Sequence, residues 1–381
     1  MREVPAPGGR PPRVLICGAG IAGSALACLL TRGGHEVTVV ERHGSARSSG
    51  NPVDVRGAAY DVVQRLGLLA PLEDVATRVR EVVFVDTVGR PVARMPTRRG
   101  DRELEVSRAD LCGLLLERAR GDADVRFDET VTGLHADDDG VDVSFARGRP
   151  ERFDVVVAAD GLHSTVRRLA FGPEDAFVTS LGLVVATVRL PGVLDGDEDV
   201  VVMHNRPGAA VALHPGAGTP GAAFMFRTPA RVDPRDADAA DRLLTEVYAP
   251  MGWRVPELLA GFLAADDRYL DTVSRVRVPR WSRGRVVLLG DAASCVSLFG
   301  DGSSAAIAGA AALARSLVQA PDDTAGALRR YQSLQEPLTR RGQRGAAVVA
   351  HLLVPATGTG IALRDRALRL AGRRPAATGP G

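Results

Sequence analysis

The segment Val14–Gly23, VLICGAGIAG, constrains this chain more than any other. Arg13 to Cys17 reads as a short buried strand that runs straight into Gly18-Ala19-Gly20-Ile21-Ala22-Gly23. Ser24 to Arg32 then reads as a helix stopped at Gly33-Gly34. Gly18 allows the tight turn, Gly20 lets a diphosphate approach the backbone, and Gly23 lets helix and strand pack closely. The helix N-terminus adds unpaired N–H groups that attract phosphate charge. Glu36 to Val40 reads as the next strand, and Glu41 follows it, eighteen residues past Gly23. An acid at that point accepts hydrogen bonds from ribose hydroxyls. Arg13 to Glu41 is therefore a βαβ unit built for an adenine dinucleotide, which sets the fold class as α/β.

Composition narrows the alternatives. The net charge is +2 and no long run of one sign occurs, which argues against nucleic acid as a partner. All 48 basic residues are Arg, a bias expected from a high-GC genome. The cysteines, Cys17, Cys28, Cys112 and Cys295, show no CxxC spacing, so no metal site is expected. They read as free, small core residues suited to a reducing cytoplasm. Ala346 to Leu363 carries no charge and is long enough to span a bilayer. Pro355, Gly358 and Gly360 interrupt it, so two packed helices joined by a turn are expected, with no stable membrane insertion.

Helices are expected over Ala58–Gly67, Ser107–Arg120, Asp236–Tyr248 and Val255–Ala264. Strand pairs are expected around Val88–Pro91 and around the acidic turn Asp137–Gly140. From Phe177 to about Arg227 strands alternate with Pro/Gly turns, and Val273–Val278 reads as a further strand.

Two later turns repeat the strand-Gly theme. In Val155–Arg168, VVVAADGLHSTVRR, an apolar strand ends at Asp160-Gly161. In Arg285–Ala314 a strand ends at Gly290-Asp291, and a helix rich in small residues starts near Ser303. Either turn alone is also explained by a capped helix. GxGxxG first, Asp-Gly in the middle and Gly-Asp late, in this order, resemble the FAD-dependent (class A) monooxygenases of the para-hydroxybenzoate hydroxylase type. The likeness spans roughly Arg13 to Pro337.

That resemblance implies a Rossmann-like FAD-binding domain interrupted by a β-rich substrate domain, with C-terminal helices. The implied division is 13–75, 100–175 and 276–320 for FAD, 76–99 and 176–275 for substrate, and 321–381 for the final helices. Gly18, Ala19, Gly20, Ala22, Gly23, Glu41 and Arg42 would hold the ADP half. Arg108, Asp160, Arg167, Asp291, Gly302 and Ser303 would complete the FAD site. The sub-pattern Arg47…Asp54 is similar to that of enzymes hydroxylating tetracyclines. It makes Arg47 a candidate NADPH (or NADH) contact and Asp54 a candidate FAD contact. The family's Gly-Asp loop usually carries His and Pro; here Ser294 and Val296-Ser297-Leu298 stand in their places.

The resemblance also implies the chemistry. NAD(P)H would reduce FAD, O2 would form a flavin C4a-hydroperoxide, and one oxygen would pass to the substrate. No protein nucleophile is required, so no catalytic side chain is assigned. Val211, Leu213, Ala223 and Met225 are expected on the substrate pocket wall, suggesting an apolar polycyclic small molecule such as a polyketide or antibiotic intermediate. His204 and His214 are weighed as further substrate contacts. A flavin dehydrogenase or cyclase without oxygen insertion uses the same scaffold, as does a nucleotide-binding protein without turnover.

Overall fold

A computed structural model describes residues 10–45, 51–97, 100–193, 198–217, 219–230, 232–233, 236–296 and 301–372. The chain opens with β1 (Arg13–Cys17), α1 (Ile21–Arg32) and β2 (Glu36–Glu41). It continues through β3 (Pro52–Arg56), α2 (Ala58–Leu66), α3 (Leu69–Asp74), β4 (Glu81–Val85), β5 (Pro91–Pro96) and β6 (Glu103–Ser107). Then come α4 (Arg108–Arg120), β7 (Asp124–Phe127), β8 (Val131–Ala136), β9 (Val141–Phe145), β10 (Glu151–Phe153), β11 (Val155–Ala158) and α5 (Thr165–Ala170). The middle of the chain supplies β12 (Val178–Arg189), β13 (Val200–Arg206), β14 (Ala209–His214), β15 (Gly221–Arg227), α6 (Ala237–Tyr248), α7 (Val255–Ala264) and β16 (Arg268–Arg277). Last come β17 (Ser282–Arg283), β18 (Val286–Leu288), β19 (Ser294–Val296), α8 (Asp301–Gln319), α9 (Thr324–Leu353) and α10 (Gly358–Gly372).

Six strands form one sheet in the order β17-β18-β11-β1-β2-β7, parallel except at the β17 edge. β1 is buried from Val14 to Cys17 and β11 along its whole length, as expected of parallel strands covered on both faces. Register explains why three distant turns matter together. Leu288 pairs with Ala158, Ala158 with Cys17, and Cys17 with Val40. The turns that follow those residues therefore emerge side by side at the carboxyl edge, where open α/β sheets bind ligands.

The second large sheet has the order β19-β16-β12-β15-β14-β13-β4-β5 and is antiparallel except for β13 with β4. Helices α6 and α7 cover one face. Leu244, Tyr248 and Phe262 pack there on Val211, Phe224 and Phe226. The opposite face carries Leu183, Val273 and Met225, with Ala350 and Val354 from the α9 end packed on part of it. Arg227 donates to the Ala350 and Val354 carbonyls, tying β15 to the end of α9.

The uncharged C-terminal stretch breaks where Pro355 predicts. α9 and α10 meet at 99°. Among the described residues no single helix is long and apolar enough to cross a membrane. One strand pairing and one strand start escape the sequence reading. β3 pairs with β6, and β16 begins five residues before the expected Val273.

Candidate active site

The Gly loop is shaped by contacts that only glycine permits. Gly18 has φ +108°, and a Cβ there would lie 2.5 Å from the Ala159 carbonyl oxygen. A Cβ on Gly23 would lie 2.0 Å from the Gly18 carbonyl oxygen. Gly20 differs: a Cβ there meets nothing within 4 Å. Its requirement for glycine is thus not imposed by the protein, and the open space in front of it suits a diphosphate. Glu41 closes this end. Its two carboxylate oxygens accept from the backbone N–H groups of Ala19 and His43, each at 3.1 Å. Arg42 is exposed, and its Nε donates to His43 Nε2 at 3.2 Å.

The Gly290-Asp291 turn comes against the same loop. Gly290 has φ +62°, and a Cβ there would lie 3.0 Å from the Ala22 Cβ. The first turn of α8 is stitched to β3, which carries Asp54. Ser304 Oγ donates to the Asp54 carbonyl at 2.7 Å and accepts from the Arg56 N–H at 3.1 Å. Ser303 is buried beside it, and a Cβ on Gly302 would meet open space. Arg108 opens α4 behind its N-cap Ser107, whose side chain accepts from the Asp110 N–H at 3.2 Å. A cavity of about 510 Å³ lies beside the turn, lined by Asp291, Ser294, Gly302, Ala306, Tyr331 and Gln343 among others. An acid for the ribose, an open glycine for the diphosphate and a helix N-terminus at the far turn fit FAD.

Asp160 and Arg167 direct their polar atoms inward. The Asp160 carboxylate accepts from the Ser164 hydroxyl and from the Thr165 and Val166 N–H groups at 2.7 and 3.1 Å. It caps α5, and burial raises its pKa. Arg167 is fully buried, donating to the Ala292 carbonyl at 3.0 Å and the Leu162 carbonyl at 2.5 Å. The middle motif is thereby tied directly to the residue after Asp291. Arg47 lies outside the described residues, as does most of the loop Ser297–Gly302.

The substrate wall needs correction. Val211 and Leu213, expected in the pocket, face the other way, into the core under α6 and α7. Alternation fixes this: Val211 pairs with Phe224 and Leu213 with Ala222, whereas Ala212 pairs with Ala223 and Ala210 with Met225. Ala223 and Met225 therefore share the opposite face, with Val185, Thr187, Tyr269 and Asp271 beside them. That face looks toward the nucleotide sheet. Asp271 meets His163 from the loop after Asp160-Gly161, and His214 Nε2 meets Glu105 of β6 at 3.1 Å. His204 lies on the helix-covered face, buried, with Nδ1 3.0 Å from the Val85 carbonyl oxygen.

Sequence reading misses Tyr269, Asp271, His163 and Glu105. No period-two signal marks the first two: Arg268-Tyr269-Leu270-Asp271-Thr272 mixes polar and apolar residues on both faces of the strand. That sheet face is thus mixed, with apolar Ala223 and Met225 beside Thr187, Tyr269 and Asp271. The four cysteines are buried and free, and burial pushes the Cys17 and Cys295 thiols up, against thiolate chemistry.

Comparison with known proteins agrees with this geometry. The family described as FAD binding domain matches residues 12–341. The Mycobacterium tuberculosis (strain H37Rv) protein Rv1260 is 40% identical over 329 residues, covering 81% of this chain and 86% of that one. A flavin-dependent monooxygenase from an unknown prokaryotic organism is 33% identical over 341 residues, covering 87% of each. Among solved structures, tetracycline destructase Tet(51) superposes with a TM-score of 0.83 at 28% identity, over 95% of this chain and 96% of its own. Klebsiella pneumoniae HpxO, complexed with FAD and uric acid, gives 0.77 at 26% identity, over 94% and 93%.

Proposed function

The chain belongs to the FAD-dependent (class A) flavoprotein monooxygenases, and we propose that it hydroxylates or epoxidises a polycyclic secondary metabolite, using O2 and NADPH or NADH. The observation that carries this reading is the register that brings the Gly18, Asp160 and Gly290-Asp291 turns side by side, with the sheet face bearing Ala223, Met225 and Asp271 joined to them through His163. Bound FAD supplies the redox and oxygen chemistry.

The residues divide the remaining work. Glu41 accepts the ribose hydroxyls, and the Gly18–Gly23 loop takes the diphosphate. Asp54, Arg108, Asp291 and the first turn of α8 hold the ribityl and ring end, where the helix N-terminus favours negative charge on the ring. Arg47 binds the nicotinamide nucleotide. Ala223 and Met225 floor the substrate site and help exclude water from it. The division of the chain at 76–99 and 176–275 into a substrate domain, the cytoplasmic setting and the role in antibiotic biosynthesis belong to the same proposal.

Pathway intermediates screened for stimulated NAD(P)H oxidation identify the substrate. With that substrate and isotopically labelled O2, the product gains one labelled atom as one NAD(P)H is consumed. A product that has lost hydrogen and carries no label overturns the monooxygenase reading in favour of a flavin dehydrogenase.

A further inference from the structure

The two C-terminal helices carry charge out of proportion to their length. Residues 324–372 hold eight Arg against two acids, whereas the rest of the chain holds 40 Arg against 44 acids. Both acids are already paired within the helices, Glu336 with Arg340 at 2.5 Å and Asp365 with Arg364 at 2.7 Å. Arg329, Arg330, Arg341, Arg344, Arg366 and Arg369 are exposed.

The same helices expose large apolar side chains. Leu338 is 61% exposed, Leu363 63% and Leu370 56%. On α9, Arg330, Leu334, Leu338 and Arg341 follow at intervals of four, four and three residues, so they share one face. On α10, Leu363, Arg366, Ala367 and Leu370 share a face in the same way, and all four are exposed. The core does not use these leucines. α9 turns Tyr331 and Gln335 inward instead, and α10 turns Arg364 and Asp365 inward. The Arg364 guanidinium lies 4.0 Å from the centre of the Phe84 ring, and its Nη1 donates to Asn205 Oδ1 at 2.9 Å. Asn205 Nδ2 donates to the Leu353 carbonyl at 2.7 Å, so the corner between the helices is fastened to the second large sheet. The fold thus holds leucines and arginines outward together.

We propose that the outward faces of α9 and α10 dock reversibly on a bilayer surface rich in anionic phospholipid. The leucine side chains enter the boundary between headgroups and acyl chains, and the flanking guanidiniums pair with lipid phosphates. Charge and shape select this occupant. A second copy of the chain would set cations against cations. A nucleic acid would take the arginines and leave the leucines in water. A groove on an acidic protein takes one straight helix, whereas here the pattern repeats on two helices bent by 99°. A bilayer offers apolar and anionic layers at the depths that the two kinds of side chain reach. Docking of this kind needs no spanning helix.

The test floats the full-length, FAD-loaded protein with vesicles of phosphatidylcholine, or of phosphatidylcholine mixed with phosphatidylglycerol. The mixed vesicles should bind at least about tenfold more protein, and raising the salt from about 0.05 to 0.5 M should release most of it. Leu363→Ser with Leu370→Ser, and Arg366→Gln with Arg369→Gln, should each weaken binding roughly tenfold. Flavin content and unfolding midpoint should stay as in wild type. Arg149→Gln with Arg242→Gln removes the same charge from exposed positions elsewhere and should bind as wild type does. No binding to the mixed vesicles, or equal binding to both kinds, overturns the proposal. So does an equal loss in the Arg149/Arg242 pair and the Arg366/Arg369 pair. A dimer that Leu363→Ser with Leu370→Ser dissolves makes the face a self-interface and overturns it too. Hydrogen exchange of the wild type needs no variant: the mixed vesicles should slow exchange in residues 358–372, and slowing confined to other segments sinks the assignment.

Discussion

The backbone N–H of Ala19 donates to Glu41 Oε2 across 3.1 Å, so the acid that ends β2 is fastened to the Gly loop by the protein itself. With Oε1 held by the His43 N–H, the carboxylate is oriented before a nucleotide arrives. Glu41→Ala removes the acceptor and leaves the Ala19 and ribose donors without it, a loss of roughly 1–3 kcal/mol. FAD affinity should fall about 5- to 150-fold by that arithmetic. Equilibrium titration of apoprotein with FAD measures it, and unchanged affinity would remove Glu41 from the site.

The two ends of the glycine motif should respond differently to an added methyl group. A Cβ at Gly20 meets open space, and its φ of −73° suits any residue. Gly20→Ala should fold as well as wild type, or up to about 1 kcal/mol better through the unfolded chain, yet bind FAD poorly. At Gly23 the Cβ would sit 2.0 Å from the Gly18 carbonyl, a fixed backbone atom. Gly23→Ala should destabilise the apoprotein itself. Urea unfolding of both apo variants separates the cases. A Gly20→Ala protein that keeps full FAD affinity would show that the diphosphate does not pass over Gly20.

The nucleotide half of the fold was legible because each signal was local. A buried strand, a glycine turn and a helix lie within Arg13–Arg32, and the pairing of Cys17 with Val40 follows from the βαβ rule. The substrate face was not legible, because its orientation depends on what covers each side of β14. Val211 and Ala212 are equally apolar, and only α6 and α7, folded later in the chain, decide which is core. Tyr269 and Asp271 were lost for a related reason. DRYLDTVS shows no alternation of polar and apolar residues, and the strand it forms pairs with β12, far earlier in the chain, so no nearby residue announces it. Arg167 shows the opposite failure: its motif was recognised, but burial, which turns a candidate ligand into a tie between two turns, is not written locally.

Arg167 should act on FAD through the Asp291 turn. Its guanidinium holds the Ala292 carbonyl at 3.0 Å, one residue beyond Asp291, from a fully buried position. Arg167→Met should weaken FAD while leaving ADP affinity unchanged, because the ADP half rests on Glu41 and the Gly loop. Arg167→Lys, able to reach one carbonyl, should recover part of the loss. Parallel loss of ADP and FAD affinity in Arg167→Met would instead indicate a direct diphosphate contact.

Val211 and Ala223 are neighbours in the paired strands and should have opposite mutational signatures. Val211 is fully buried under α6 and α7. Val211→Ala should cost about 1.5–3 kcal/mol of stability, from two lost methyl-sized groups and the space left behind, with FAD binding unaltered. Ala223→Leu projects into the open side of the sheet and should leave stability within about 1 kcal/mol while blocking the identified substrate. Denaturant titration beside substrate KM tests both. A stable Val211→Ala variant with a raised KM would return Val211 to the pocket wall.

The contact between His163 and its two carboxylates joins the nucleotide side to the second large sheet, so it should mark stability. Asp271 and Glu174 raise the folded-state pKa of His163 above 6.5. A base whose pKa is raised by folding contributes stability that is fully present below its unfolded pKa. That contribution is lost as pH rises through the folded value. The imidazole is about one-third exposed, so solvent screening holds the gain to no more than about 1 kcal/mol. The difference in unfolding free energy between wild type and His163→Gln should therefore be largest near pH 5–6 and shrink toward zero above about pH 8. Urea titrations across that range measure the difference directly. A gap that is constant with pH would mean the ring contributes packing alone, and a gap that widens with pH would mean His163 is held neutral in the fold.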